Sequence, residues 1–338
     1  MKLARQVVED VDGKSSRILV MGEHAWIDVR SAVRHEAESR GATPGGARRL
    51  AEALVPSSMS AALAGGAAFL DAARAAAEDE PEMARVVHPN LTNALDPATY
   101  RDFMVFEEHF SFGYRWQDKP VPDVLYQMPI SYAGDPRSFI GPGEEIPWPG
   151  YTERLDYELE LGIVIGAPGT DLTPDEALDH VLGLTILNDV SARDIQAREM
   201  TGALGPSKGK HFACVTGPLI VTLDELSRDG LRMTARVNGE TTCETSSAEM
   251  VWSVAEIVAW ASQGEQLLPG TLLGSGTCNG GSTIETGRVL APGDVIELEI
   301  EGLGVLSNVL GTPASAGWAP TERERTPDGK AARHRFLR

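Results

Sequence analysis

The segment "DYELELGIVIG", from Asp156 to Gly166, places the hardest constraint on how this chain of 338 residues can fold. Its apolar and β-branched residues predict a strand, and side chains alternate along a strand. Tyr157, Leu159 and Leu161 then share one face, and Glu158 and Glu160 share the other. Two carboxylates at that spacing repel, and burying them costs more still unless a cation neutralises them. Two solutions are open at this point. Either the acidic face is wet, as on many half-exposed strands, or both side chains hold a metal ion. Only other parts of the chain can decide.

The bulk numbers narrow the field. A chain that is 42% hydrophobic can build a large core, as one big domain or one domain with a smaller companion. Thirty basic against 49 acidic residues give a formal charge of -19, which argues against nucleic acid or an anionic membrane as a main partner. Cys214, Cys243 and Cys278 are too few and too scattered for a disulfide framework or a zinc site. Reduced thiols and a cytoplasmic location are the expectation. "MKLARQVVEDVDG" lacks the apolar core of a secretory signal, and no run reaches the roughly 18 apolar residues of a membrane span.

Three regions follow from texture: a variable region over 1–95, a β-rich domain over 96–312, and a polar tail over 313–338. The first holds an apparent hairpin in "RILVMGEHAWIDVR" and an Ala-rich helical stretch, "SMSAALAGGAAFLDAARAAAEDEPEM", broken at Gly65-Gly66 and ended near Pro81. It reads as a small module or an arm, with no motif that carries chemistry. The second alternates short β-rich runs with turns, including "VLYQMPISY", "GLTILNDV", "GPLIVT" and "LRMTARVNGE". Two helices have capping boxes, Thr173 with Glu176 and Ser253 with Glu256, the latter helix stopping near Gly264. Many strands and few helices predict a β-dominated α+β fold. The tail, ending in the basic run Arg333–Arg338, reads as a mobile terminus or a docking arm.

Other acidic residues stand at the ends of apolar runs. In "GLTILNDVSARDIQ", Asp189 is placed either to ligate a metal or to cap a helix starting near Ser191. In "YRDFMVFEEHF", Phe103, Phe106 and Phe110 have helical spacing, which predicts a helix carrying both Asp102 and His109. His109 there is either a catalyst or an ordinary packed histidine. Together Asp102, Glu158, Glu160 and Asp189 would form an oxygen-rich site suited to Mg²⁺, Mn²⁺ or Ca²⁺ rather than zinc. Arg193, Lys208 and Lys210 are the candidate balancing cations.

The pieces "DFMVFEEH", "PISYAG", "DYELELGIVIG", "NDVSARDIQ", "GKHF", "SGT" and "GDVIELEIEGLGVLSN", in this order over roughly residues 97–311, resemble the fumarylacetoacetate hydrolase family. The resemblance implies a mixed β-sandwich or roll around a divalent metal centre, usually in a homodimer. It implies that Asp102, Glu158, Glu160 and Asp189 ligate the metal, Mg²⁺ first and Mn²⁺ or Ca²⁺ as alternatives. His109 matches the family's catalytic base. Its carboxylate partner is Glu285, with Glu107 and Glu108 as alternatives. Arg193, Gln196 and Lys210 match the groups that stabilise developing charge, Lys208 being the other lysine in reach. Tyr132 and Thr277 match substrate contacts. Met104 stands where the family's full-length hydrolases carry a tyrosine, so the substrate or its pose is expected to differ. The implied activity is metal-dependent hydrolysis of a C–C bond in an acylpyruvate-like 1,3-diketo acid through a metal-bound enolate. Decarboxylation of a 2-oxo acid and tautomerisation or isomerisation are alternatives at the same site. A non-catalytic metal- or ligand-binding homologue is the alternative of another class.

Overall fold

The computed structural model describes residues 1–10, 13–323 and 327. The basic run Arg333–Arg338, read from sequence as part of an arm or mobile tail, lies outside the described residues. Among the described residues an 11-stranded mixed sheet and a five-stranded sheet dominate, with short helices around them. The expected β-dominated α+β class is what the chain adopts.

The segment that framed the problem sits at the centre of the large sheet. Leu159–Ile165 pairs antiparallel with Val181–Asn188 on one side and with Leu272–Gly274 on the other. All seven of its residues are buried, which accounts for a nearly continuous apolar run. Leu159, Leu161, Ile163 and Ile165 join the core shared with the five-stranded sheet, through Met233, Ala235, Ile296 and Leu298. Val164, on the opposite face, joins a second core. Glu160 and Glu158 follow it on that face by alternation. The wet-face solution is therefore ruled out: Glu158 is 3% exposed and Glu160 0%.

Residues 1–95 contribute strands to this same large sheet. Lys2–Asp10 pairs with Cys214–Thr222, and Gly13–Met21 and Trp26–Asp28 extend the sheet outward. The hairpin and the broken Ala-rich helix form as their patterns predict, the latter as Met59–Leu63 and Ala67–Asp79. Their small side chains, Ala62, Ala73 and Ala76 among them, share the second core with Val164, Leu182, Ile220 and Leu272. The early segment is thus packed against the strands that carry the acidic residues. Both capping boxes form, at Pro174–Ala177 and at Val254–Ala261.

One element differs from the pattern-based expectation. Asp102 and Phe103 lie on a strand, Tyr100–Met104, and the helix starts only at Glu107. That strand is held by parallel pairing with Leu272–Gly274 and antiparallel pairing with Ile130–Ala133. Two ladders outweigh the weak helical periodicity of three phenylalanines, because tertiary pairing overrides local propensity.

Candidate functional site

Three parts of the large sheet meet at one end. Asp102 comes from Tyr100–Met104, Glu160 from Leu159–Ile165, and Asp189 follows directly after Val181–Asn188. One oxygen from each lies within 4.8 Å of the others, and all three side chains are buried. Their mutual approach requires a glycine opposite. A methyl on Gly274 would lie 2.3 Å from Asp102 Oδ1 and 2.9 Å from Glu160 Oε2. Asp102 Oδ1 accepts from the Gly276 N–H at 3.2 Å, and Glu160 Oε1 from Thr277 Oγ1 at 3.5 Å.

Electrostatics mark this trio as incomplete on its own. Burial, and then the charge of Asp189, push the Asp102 carboxyl well above the usual carboxylate range. Burial, and then Asp102 and Asp189, do the same to Glu160. Glu160 Oε2 is buried with no hydrogen-bond partner. One orphaned oxygen, like charges and an all-oxygen donor set fit a hard divalent cation, which would neutralise the two strained carboxylates together.

Glu158, expected from sequence as a fourth ligand, stands outside this trio. Its Oε2 accepts from Lys210 Nζ at 2.5 Å, and its Oε1 lies 2.7 Å from Arg193 Nη1 and 3.6 Å from His109 Nε2. Burial alone would raise it, but Lys210, Arg193 and His109 outweigh burial and hold it below the ordinary range. Lys210 also donates to Asp189 Oδ2 at 2.6 Å. Desolvation works against its charge, yet Asp189 and Glu158 more than compensate, so it stays protonated. Lys208 is exposed and lies over the Tyr151 ring at 4.9 Å, away from the carboxylates.

Asp189 does not cap the next helix. Arg193–Met200 begins after Ala192, and Asp189 instead accepts from Tyr132 Oη at 2.7 Å and from the Cys214 thiol at 3.3 Å. Arg193, 7% exposed, donates through Nε to Asp156 Oδ2 at 2.8 Å and through Nη1 to Gln196 Oε1 at 3.0 Å. Its Nη2 is equally near Asp156 Oδ2 but off the line of a hydrogen bond.

His109, on the helix Glu107–Trp116, faces the centre from one side. Its Nδ1 lies 3.0 Å from Glu285 Oε2. Burial favours a protonated Glu285, but the hydrogen bond to His109 prevails and keeps it low. The Gly280 N–H and Ser282 Oγ complete its contacts at 3.0 and 3.1 Å. Glu107 and Glu108 point outward, Glu108 pairing with Arg115 at 2.5 Å. Met104 ends its strand on the same face as Asp102, half-buried, and offers no hydrogen bond.

Several contributors escaped the sequence reading. Asp156, 1% exposed, binds Arg193 and the turn that carries Glu285. Its signal was present, since alternation puts it on the same face as Glu158 and Glu160. Gly274 directly precedes "SGT" but reads as an ordinary glycine without its partners in view. Glu199 accepts from three consecutive N–H groups, Ser207, Lys208 and Gly209, at 2.8–3.0 Å, and so fixes the loop that delivers Lys210. No local pattern announces that contact.

A mixed sheet that converges buried carboxylates beside a histidine–glutamate pair defines an α+β protein built around a candidate divalent-cation centre. Comparison with known proteins names the group. The chain belongs to the fumarylacetoacetate hydrolase family, residues 99–311 matching that family's C-terminal region. It is 34% identical over 192 residues to the oxaloacetate tautomerase YisK of Bacillus subtilis, across 56% of this chain and 61% of the relative. It is also 34% identical over 194 residues to the mitochondrial oxaloacetate tautomerase FAHD2A of Homo sapiens, across 57% and 60%. The matched part thus spans about three fifths of these relatives. Among solved structures, a fumarylacetoacetate hydrolase from Exiguobacterium antarcticum superposes with a TM-score of 0.64 at 26% identity, over 92% of this chain and 99% of that one. A 5-carboxymethyl-2-hydroxymuconate delta-isomerase from Mycobacterium smegmatis shares the fold, with a TM-score of 0.62 at 22% identity over 92% and 99%. No helix among the described residues is long and apolar enough to cross a membrane.

Proposed function

We propose that this chain is a divalent-cation-dependent enzyme that moves a proton on the carbon beside a carbonyl of a small 2-oxo dicarboxylate, interconverting its keto and enol forms. The observation that carries the reading is the His109–Glu285 pair, 3.0 Å apart, beside a buried carboxylate trio with an unpaired oxygen. Asp102, Glu160 and Asp189 would hold the cation, Mg²⁺ first and Mn²⁺ or Ca²⁺ as alternatives. When bound, such an ion withdraws electron density from substrate oxygens and makes the neighbouring C–H more acidic.

The chain's own residues supply the proton traffic. Glu285, kept ionised, accepts at Nδ1 and so leaves the lone pair of His109 on Nε2. That nitrogen takes the proton from carbon as a general base and delivers it to the carbonyl oxygen, giving the enol, and the reverse transfer restores the keto form. Arg193 and Lys210 supply fixed positive charge where negative charge develops on substrate oxygen. Gln196 is held by Arg193, and Tyr132 by Asp189, at the same end of the sheet. The names of the tautomerase relatives support this choice of substrate class.

Hydrolysis of a C–C bond in an acylpyruvate, the activity expected from sequence, is the second reading. The same His109–Glu285 pair is equally suited to draw a proton from water, and the likeness to the E. antarcticum hydrolase favours it. Decarboxylation needs no base, so the pair gives it no support. A homodimer belongs to the same reading, to be measured by light scattering.

The deciding assay follows the enol absorbance of oxaloacetate with Mg²⁺, with and without chelator, alongside an acylpyruvate. Tautomerisation predicts chelator-sensitive equilibration with no pyruvate released. Release of pyruvate and a free acid from the acylpyruvate, without oxaloacetate tautomerisation, would replace it with hydrolysis. Inactivity towards both would overturn the assignment.

A further inference from the structure

Asp156 is the least exposed acidic residue that touches neither His109 nor the carboxylate trio by any contact described above, yet it is among the most heavily engaged side chains in the molecule. Its Oδ1 accepts from the Thr283 N–H at 2.8 Å and from Thr283 Oγ1 at 2.6 Å. Its Oδ2 accepts from the Ile284 N–H at 3.1 Å and from Arg193 Nε at 2.8 Å. Four donors converge on two oxygens, and every one belongs to a segment that serves the site. Thr283 and Ile284 open the short helix Thr283–Thr286, whose next residue, Glu285, meets His109. Arg193, on the other side, reaches Glu158 Oε1 at 2.7 Å and Gln196.

A carboxylate is needed here for a chemical reason. All of its partners are donors, so an acceptor-only side chain satisfies them, whereas an amide would turn its NH₂ towards donors. Its charge also faces the guanidinium of Arg193 from the side opposite Glu158, so that the arginine lies between two anions and is fixed in one rotamer. The backbone N–H groups of Thr283 and Ile284 are the first of their helix and have no partner within it. Without Asp156 they would be buried or nearly so and unmet, and the turn would have to shift to find water.

We propose that Asp156 is a positioning residue that acts through two others at once: it sets the Thr283–Thr286 turn so that Glu285 lines up with His109 Nδ1, and it sets Arg193 against Glu158. The inference rests on the reading in which the His109–Glu285 pair moves the proton. It assigns a role to a buried residue that lies beyond the chemistry itself.

The test combines a spectroscopic and a kinetic measurement on the full chain. The hydrogen-bonded Nδ1 proton of His109 is identified in the downfield proton spectrum of the metal-free protein as the signal lost in His109→Gln. In Asp156→Asn it is expected to move upfield or to broaden away, while circular dichroism and a cooperative melt report an intact fold. With substrate, Asp156→Asn is expected to lower kcat about 10–100-fold, and adding it to Glu285→Gln to lower kcat less than about tenfold further, since the Glu285–His109 contact is then already lost and only the effect through Arg193 remains. Thr283→Val, which removes a single hydroxyl donor, is the milder variant should Asp156→Asn fail to fold. It is expected to shift the same resonance and to lower kcat about 2–5-fold, again without adding to Glu285→Gln. An unchanged resonance in a folded variant, or losses that multiply with Glu285→Gln, would overturn the proposal. If the unmodified protein turns over none of the substrates tried, the proposed function fails, and the resonance still decides the role of Asp156.

Discussion

Gly274 offers the most direct test of how the acidic centre is built. It ends the strand Leu272–Gly274, and its backbone lies outside the left-handed region, so alanine there brings no backbone strain. The added methyl, however, would sit 2.3 Å from Asp102 Oδ1, 2.8 Å from Leu187 Cδ2 and 2.9 Å from Glu160 Oε2. Ordinary contact begins at 3.4 Å, so the Asp102 carboxylate has to retreat by about 1 Å and Leu187 by a lesser distance. Overpacking of this kind costs about 1–3 kcal/mol of stability. The larger effect falls on the site, because a displacement of about 1 Å in a positioned group can cost on the order of 10²-fold. Gly274→Ala is therefore expected to weaken Mn²⁺ or Mg²⁺ binding about 10–100-fold by calorimetry and to shrink the rise in melting temperature that saturating metal gives. Gly113→Ala is the matched control. Gly113 lies inside the helix Glu107–Trp116 with nothing within 4 Å of the added methyl, and alanine there is expected to gain about 0.5–1 kcal/mol. Metal affinity and turnover in folded Gly274→Ala within threefold of the unmodified protein would refute the reasoning that these carboxylates converge on one ion.

Further outcomes follow from the same geometry. Asp102 and Glu160 titrate higher folded than unfolded, so the metal-free chain binds extra protons when folded, and its stability should fall as pH rises from about 4, the ordinary carboxylate value, through the raised one. Denaturation across that window should show a loss of about 1.4 kcal/mol per pH unit for each such proton, and saturating Mg²⁺ should flatten it; a flat metal-free profile would contradict the buried, uncompensated pair. His109→Gln should lower kcat about 10²–10⁴-fold while leaving metal affinity within a few-fold, measured by turnover and calorimetry on the same preparation; retained activity would remove His109 from the proton path, and lost metal binding would make it structural. Glu199→Gln leaves one acceptor oxygen for three N–H donors, so it should destabilise the chain by about 1–3 kcal/mol and lower kcat/KM about tenfold through Lys210; an unchanged kcat/KM would show that the loop holds Lys210 unaided.

Much of this was readable from residue order alone, and the reasons are local. Alternation placed Glu158 and Glu160 together, and capping boxes at Thr173 and Ser253 marked two helices that form as written. Elsewhere long-range pairing decides. Phe103, Phe106 and Phe110 have a helix's spacing, yet Asp102 lies on a strand because Leu272–Gly274 and Ile130–Ala133 flank it. Glu158 and Glu160 are neighbours with equal claims as ligands in sequence, but Lys210 and Arg193 arrive from elsewhere and engage only Glu158. Alternation puts Asp156 on the acidic face but does not name its partners, Arg193 and Thr283, 37 and 127 residues away, and Gly274 and Glu199 act through contacts that no local pattern marks.

The parallel pairing of Leu272–Gly274 with Tyr100–Met104 has a consequence for how the chain reaches its native state. It brings Gly276 to Asp102 across 174 residues of sequence, while His109 meets Glu285 across 176. No short fragment of the chain can therefore assemble the acidic centre, and its parts meet only after long loops have closed, which is slow for strand pairings of this kind. Cation uptake during refolding would then report the last long-range closure, and it would lag behind the appearance of helices such as Ala67–Asp79, whose backbone hydrogen bonds close between neighbouring turns.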